Sequence, residues 1–143
     1  MLHRLISLTC VFTVLSIGSV YAQQQCLHGP NETPEQQARR REALTATRTV
    51  NNLQANQPGS ATNTYLRQVE LPTSRYAQGP NGQSEFFKKL NFTPGQELMP
   101  GWELKLDVTE DGYCFMIKDK TDPCGFAYIS NKVGIIYTAE PIR

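Results

Sequence analysis

The residues with the most chemistry to offer are Cys114 and Cys124, set as Cys-x9-Cys inside DGYCFMIKDKTDPCGFAYIS (111–130), and the run Cys26-Leu27-His28. Three kinds of sulfur chemistry compete. A structural zinc takes about four ligands in closely spaced pairs; here the set is complete only if the N-terminal run folds onto the other cysteines, so no metal is expected. A dithiol redox centre uses Cys-x-x-Cys at a helix start, a pattern this chain lacks. The remaining chemistry is a structural disulfide. A three-residue loop at 118–120 sets Cys114 opposite Cys124 across a hairpin, where cross-strand residues come close enough to bridge. The strand phase argues the other way. If Phe126 and Tyr128 face a core beside Phe115, a regular strand turns Cys124 inward and Cys114 outward, and an irregular entry at Pro123–Gly125 is needed to reset the match. The expected pairing is Cys114–Cys124, with Cys26 a free thiol or a link between two copies of the chain. A bridge from Cys26 is the rival.

Catalysis finds little to work with. A general base at neutral pH is most often histidine, and His28 sits in a polar tail where exposure is its expected state. Glu110-Asp111 and Asp119 to Asp122 mark turns, their ordinary use. Ser130, followed by Asn131, reads as a turn residue. There is no nucleophile elbow and no Gly-rich phosphate loop. The expectation is a non-enzyme with no catalytic residue and no cofactor.

The compartment decides how to read the thiols. Arg4 precedes an apolar run from Leu5 to Val20, Val20-Tyr21-Ala22 suits a signal peptidase, and polar Gln23 to Gln25 follow. Residues 1–22 therefore read as a signal peptide, and the protein as secreted or periplasmic with no stable membrane anchor after cleavage. A retained anchor is the alternative, although the run is barely long enough to span a bilayer. Export favours oxidised cysteines. Cys10 leaves with the signal, so an odd number remains. The chain's 14 basic residues lose Arg4 to the signal and then equal its 13 acidic ones. Nucleic-acid binders concentrate positive charge, so a nucleic-acid partner is not expected.

The elements that must position these residues fall into three parts of one domain, 33–143, behind a flexible tail, 23–32. A helix over 34–56 starts with Thr33 as cap, Pro34 in the first position and Gln36 closing a capping box. Ala43, Ala46, Val50 and Leu53 give it a thin apolar stripe. Arg39-Arg40-Arg41 reads as a solvated face. Residues 57–101, rich in Gly, Pro, Asn, Ser and Thr, form a variable connecting region with short ordered pieces at 64–71 and 84–90. From Trp102 the period becomes two, and four strands form an antiparallel meander over 102–139. A two-residue turn at 110–111 puts Leu106 opposite Phe115; one at 111–112 puts Val108 there. Either register leaves both apolar sets on one face. Trp102, Leu104, Leu106, Phe115, Ile117 and Ile136 are the expected sheet core, covered by Val50 and Leu53 of the helix.

The ending resembles that of type IV pilin-like and pseudopilin-like exported proteins. The matching positions are Gly112-Tyr113, Phe115, Cys124, Phe126, Ser130, Gly134, Ile136 and Tyr137, and RREALTATRTVNNLQ is similar to the second half of a pilin helix. The resemblance covers roughly residues 33 to 142. It implies an α+β fold, a long N-terminal helix on a four-stranded meander, and a structural or interaction role with a protein partner at the bacterial envelope. It supplies no catalytic residues. The prepilin cleavage motif and the glutamate of the pilin membrane helix are missing, which sets this chain apart from fibre-forming members. A secreted inhibitor or ligand-binding domain of similar shape is the alternative function.

Overall fold

The computed structural model describes residues 26–56 and 65–140. The expected signal peptide and the residues of 57–64 lie outside the described residues.

Helix α1 spans Pro34–Ala55, 22 residues. It is not the long helix implied by the resemblance. Its start follows the capping logic: the Gln36 amide donates to the Thr33 hydroxyl at 3.2 Å, and the Gln36 side-chain carbonyl accepts from the Thr33 amide at 2.8 Å. Ala43, Ala46, Val50 and Leu53 are shut off from solvent completely. The two alanines keep this face thin, and the helix packs on the fourth strand of the sheet. Burying Val50 and Leu53 stabilises the fold by about 1.5–3 kcal/mol each.

The connecting region is ordered into short pieces. A 3-10 segment, Gln68–Thr73, is followed by α2, Arg75–Gln78, a second 3-10 turn, Pro80–Gln83, and α3, Glu85–Lys88. Gln54 fixes where this region re-enters: its side-chain amide donates to the Leu66 carbonyl at 2.7 Å and accepts from the Leu66 amide at 3.0 Å. A buried side chain thus satisfies both backbone groups of one residue, as a neighbouring strand would.

The sheet has five strands in sequential order, all antiparallel: β1, Glu97–Met99; β2, Trp102–Thr109; β3, Gly112–Asp119; β4, Ala127–Asn131; β5, Ile136–Ala139. The expected four strands are thus five. The extra one, β1, is three residues long with a register shift between Glu97 and Met99. It is bounded by Gly95 and by Pro100-Gly101, so it shows no alternation that sequence periodicity could register. The β2–β3 hairpin takes the first of the two expected registers, Leu106 opposite Phe115, with the turn at 110–111. Trp102, Leu104, Phe115 and Ile117 are buried. Leu106 and Ile136 are only half-buried at the margin of the core.

The tail expected at 23–32 is tied to the rest of the fold from Cys26 onward. Cys26 and Cys124 form a disulfide with Cα atoms 5.2 Å apart, and Cys114 is an exposed free cysteine. The expected Cys114–Cys124 bridge is therefore not made, and Cys26 is neither free nor available to link two copies. The reason lies in the second hairpin. β3 continues to Asp119, Lys118 pairs with Ala127, and Cys114 sits opposite Asn131 on the outer face. Cys124 lies in the long loop between β3 and β4, folded around Asp122. The Asp122 carboxylate accepts from the Cys124 amide at 3.0 Å and from the Leu27 amide at 3.0 Å. The same side chain shapes the loop and docks the strap.

Candidate functional site

Two features of the folded chain have the character of sites. The first is the contact between the strap, residues 26–32, and the start of the sheet. His28 is 4% exposed rather than solvated. Its Nε2 lies 2.8 Å from Asp119 Oδ2 and its Nδ1 lies 3.1 Å from Glu32 Oε1. Its ring packs on Phe126 with centroids 4.6 Å apart and near Trp102 at 5.7 Å. Arg39 Nη2 donates to Asp119 Oδ1 at 2.8 Å, and its guanidinium carbon stands 5.5 Å from the Trp102 ring centre. Arg40 pairs with Glu32 at 2.9 Å. Of the arginine run expected on a solvated face, Arg40 thus pairs with the strap and Arg39 with the sheet residue that receives it, while Arg41 is exposed.

The electrostatics follow from these contacts. Burial alone pushes the Asp119 carboxyl upward. Hydrogen bonds from His28 and from the Thr121 hydroxyl and amide, with the Arg39 charge, outweigh burial and hold its pKa below the ordinary aspartate value. The cluster resembles part of a catalytic triad in composition but not in arrangement. In a triad one imidazole nitrogen faces a carboxylate and the other faces the nucleophile. Here carboxylates occupy both nitrogens, so neither is left to take a proton from a substrate. The arrangement can hold two chain segments together; it is not poised for proton transfer. Two of the three sulfurs that a zinc set would have drawn from, Cys26 and Cys124, are joined to each other.

The second feature is the far edge of the sheet and its outer face. β1 is a covered edge: the Asn91 amide donates to the Leu98 carbonyl at 2.8 Å, Glu97 places a charge in the strand and Pro100 follows it. β5 is different. Beyond its ladder with β4, no backbone hydrogen bond from another described segment reaches it. Ile136–Ala139 contains no charge, proline or glycine. Val133 in the preceding turn, Ile135 and Tyr137 are 67%, 52% and 54% exposed. Tyr137 continues an apolar line across the outer face, opposite Ile129, which in turn stands opposite Met116.

The position of β5 is fixed from the helix. Asn51 of α1 donates to the Ser130 hydroxyl at 2.9 Å, and Ser130 donates to the Ile135 carbonyl at 2.8 Å. The Tyr113 hydroxyl donates to the Asn51 side-chain carbonyl at 3.1 Å. Ser130 is a fully buried strand residue, not the expected turn residue. The turn at 131–134 is closed by the Asn131 side chain, which accepts from the Val133 amide at 2.9 Å, and by Gly134 at φ +80°. That φ is one that a glycine adopts without strain. Cys114 lies on this side of the molecule, in an open cleft of ≈ 340 Å³ with Asp107, Asn131, Lys132 and Val133 among its walls.

Of the three cysteines singled out by sequence, the fold brings two together and leaves the third on the outer face. Sequence reasoning missed His28, Asp119, Arg39 and Glu32 as a cluster, because Asp119, which joins them to the sheet, is 80 residues from Arg39 and 91 from His28. One signal pointed to it. With Phe126 and Tyr128 inward, Cys114 points outward, and Cys26 is then the only described partner for Cys124. Among the described residues no helix is long and apolar enough to cross a membrane. Comparison with family models, with curated proteins and with solved structures finds no match to this chain.

Proposed function

We propose that this chain is an exported, non-catalytic interaction module of pilin-like build that works at the bacterial envelope by accepting an extended segment of a partner protein along β5. One observation carries the reading: the β5 edge is unpaired, uncharged and lined by exposed Val133, Ile135 and Tyr137, while the opposite edge is covered. Sheet edges are normally blunted by charge, proline, bulges or a covering loop, because an open edge recruits other strands. An edge left open on one side only is the arrangement that β-strand addition uses, with main-chain hydrogen bonds for affinity and alternate side chains for specificity. The disulfide fits an oxidising compartment. A helix packed on an antiparallel meander supports the pilin-like build.

Hydrogen exchange tests this reading. In the free protein the outward amides of residues 136–139 exchange fast. On addition of envelope extract they become protected, and Ile135→Lys/Tyr137→Lys abolishes the protection. Protection confined to other strands, or unchanged by the double variant, contradicts it.

A further inference from the structure

A small recess lies on the helical side of the molecule and shares no residue with β5. It measures ≈ 200 Å³ and is lined by Thr45 and Thr49 of α1, Tyr76 of α2, Asn81 and Ser84 of the next turn, and the Phe86 and Phe87 rings of α3. We propose that this recess binds one neutral pyranose unit of a glycan.

The chemistry of the wall selects the ligand. No charged side chain lines the recess. A charged ligand would find no counter-charge on the wall to offset the hydration it gives up on contact with the rings. A wholly apolar ligand would leave the wall's hydroxyls and amide unpaired. Those polar groups have defined roles. The Thr45 and Thr49 hydroxyls already donate to the Arg41 and Thr45 carbonyls, each at 2.9 Å, which leaves their oxygens as acceptors. Ser84 Oγ accepts from the Phe87 amide at 3.2 Å, which leaves its proton to donate. The Tyr76 hydroxyl and the Asn81 side-chain amide hydrogen-bond to no other described residue, so both can donate and accept. Three aromatic rings supply the apolar part. A pyranose has a C–H face for an aromatic ring and a rim of uncharged hydroxyls, and it meets both demands at once.

The wall is also preformed. The Gly82 backbone lies so close to the Ala77 carbonyl that a side chain there would overlap it. The Ser84 amide donates to the Asn81 carbonyl at 3.2 Å, and the Phe87 ring is braced by Phe92 with centroids 5.8 Å apart. The backbone at Asn81 and Ser84 and the Phe87 ring are thus held before a ligand arrives, which lowers the entropic cost of binding. The volume is below the range of about 300–1,000 Å³ for drug-sized sites, so a single ring is the unit recognised. A ligand of about a dozen heavy atoms at modest efficiency binds with a Kd on the order of millimolar.

Amide-resolved NMR titration of the mature protein with glucose, galactose, mannose and N-acetylglucosamine, and with glucuronate as charged control, tests this. At least one neutral sugar should give saturable shifts centred on Tyr76, Asn81 and Ser84, with glucuronate at least about tenfold weaker. Tyr76→Ala and Asn81→Ala should each weaken that binding about five- to tenfold, as expected for the loss of a hydrogen bond or a stacking face. Asn81 is exposed and Tyr76 is half-buried against the core, so the same spectra verify that each variant folds, and Val133→Ala should bind as the parent does. The proposal is overturned by the absence of saturable shifts with all four neutral sugars, by shifts that map elsewhere, by equal binding of glucuronate, or by variants that bind like the parent.

Discussion

At the scale of single residues, Asp119 ties the N-terminal strap to the sheet. Its carboxylate receives His28, Arg39 and Thr121 with no solvent exposure. Removing one partner of a buried pair leaves the others uncompensated, so Asp119→Asn should cost about 3 kcal/mol, read as a fall in Tm. The pH dependence follows from the direction of the pKa shift. A carboxyl whose folded pKa is depressed adds stability that is fully present above its unfolded value. That stability is lost as the pH falls through the folded value. The parent should therefore lose stability below about pH 4 more steeply than Asp119→Asn does. Equal acid profiles would mean that the cluster is not charged as the contacts imply. The cysteines give a second residue-scale prediction. Among the cysteines of the described residues, under non-reducing, denaturing conditions a thiol reagent should label Cys114 and leave Cys26 and Cys124 unlabelled. Cys26→Ser should lower stability by roughly 2–5 kcal/mol, towards the upper part because the bridge spans 98 residues of chain. Cys114→Ser should change it by less than about 0.5 kcal/mol.

At the scale of elements, legibility tracked how local the signal was. The β2–β3 hairpin was readable because alternation in both strands agreed under either turn. The α1 stripe was readable because four residues at helical spacing shared one fate, all of them buried. Leu106 shows the limit: its face was read correctly, but it sits at the sheet margin where burial is partial. Leu53→Ala should accordingly cost about 2–5 kcal/mol, and Leu106→Ala clearly less, in the same denaturant titration. β1 and the strap carry almost no local pattern. β1 is three irregular residues, and the strap is held by partners more than ninety residues away in sequence. Arg39-Arg40-Arg41 was misread for the same reason, since only tertiary contacts separate Arg39 and Arg40 from Arg41. The Asn51–Ser130–Ile135 relay belongs at this scale too. Asn51→Ala should leave the disulfide and the β2–β3 amides unchanged while raising exchange at residues 134–137. Uniform destabilisation would show instead that Asn51 supports the core at large.

At the scale of the whole molecule, the two sides of the fold are treated differently. One end is closed by a disulfide, a buried ion cluster and a covered edge; the other ends in β5, with exposed apolar side chains and no charge. Closing one end stabilises a small domain without touching the other, which is what a module that docks through an edge requires. The most direct measurement places a photo-crosslinking benzoylphenylalanine at Tyr137 on β5, and at Lys105 on the outer face as control, in the full chain produced in intact cells. With the benzoylphenylalanine carried in intact cells, whether or not the chain is exported, the account predicts a discrete adduct from position 137, lost when Ile135→Lys is added, and little or none from 105. No adduct at 137, or the same adducts from both positions, would contradict the claim that β5 is the working edge.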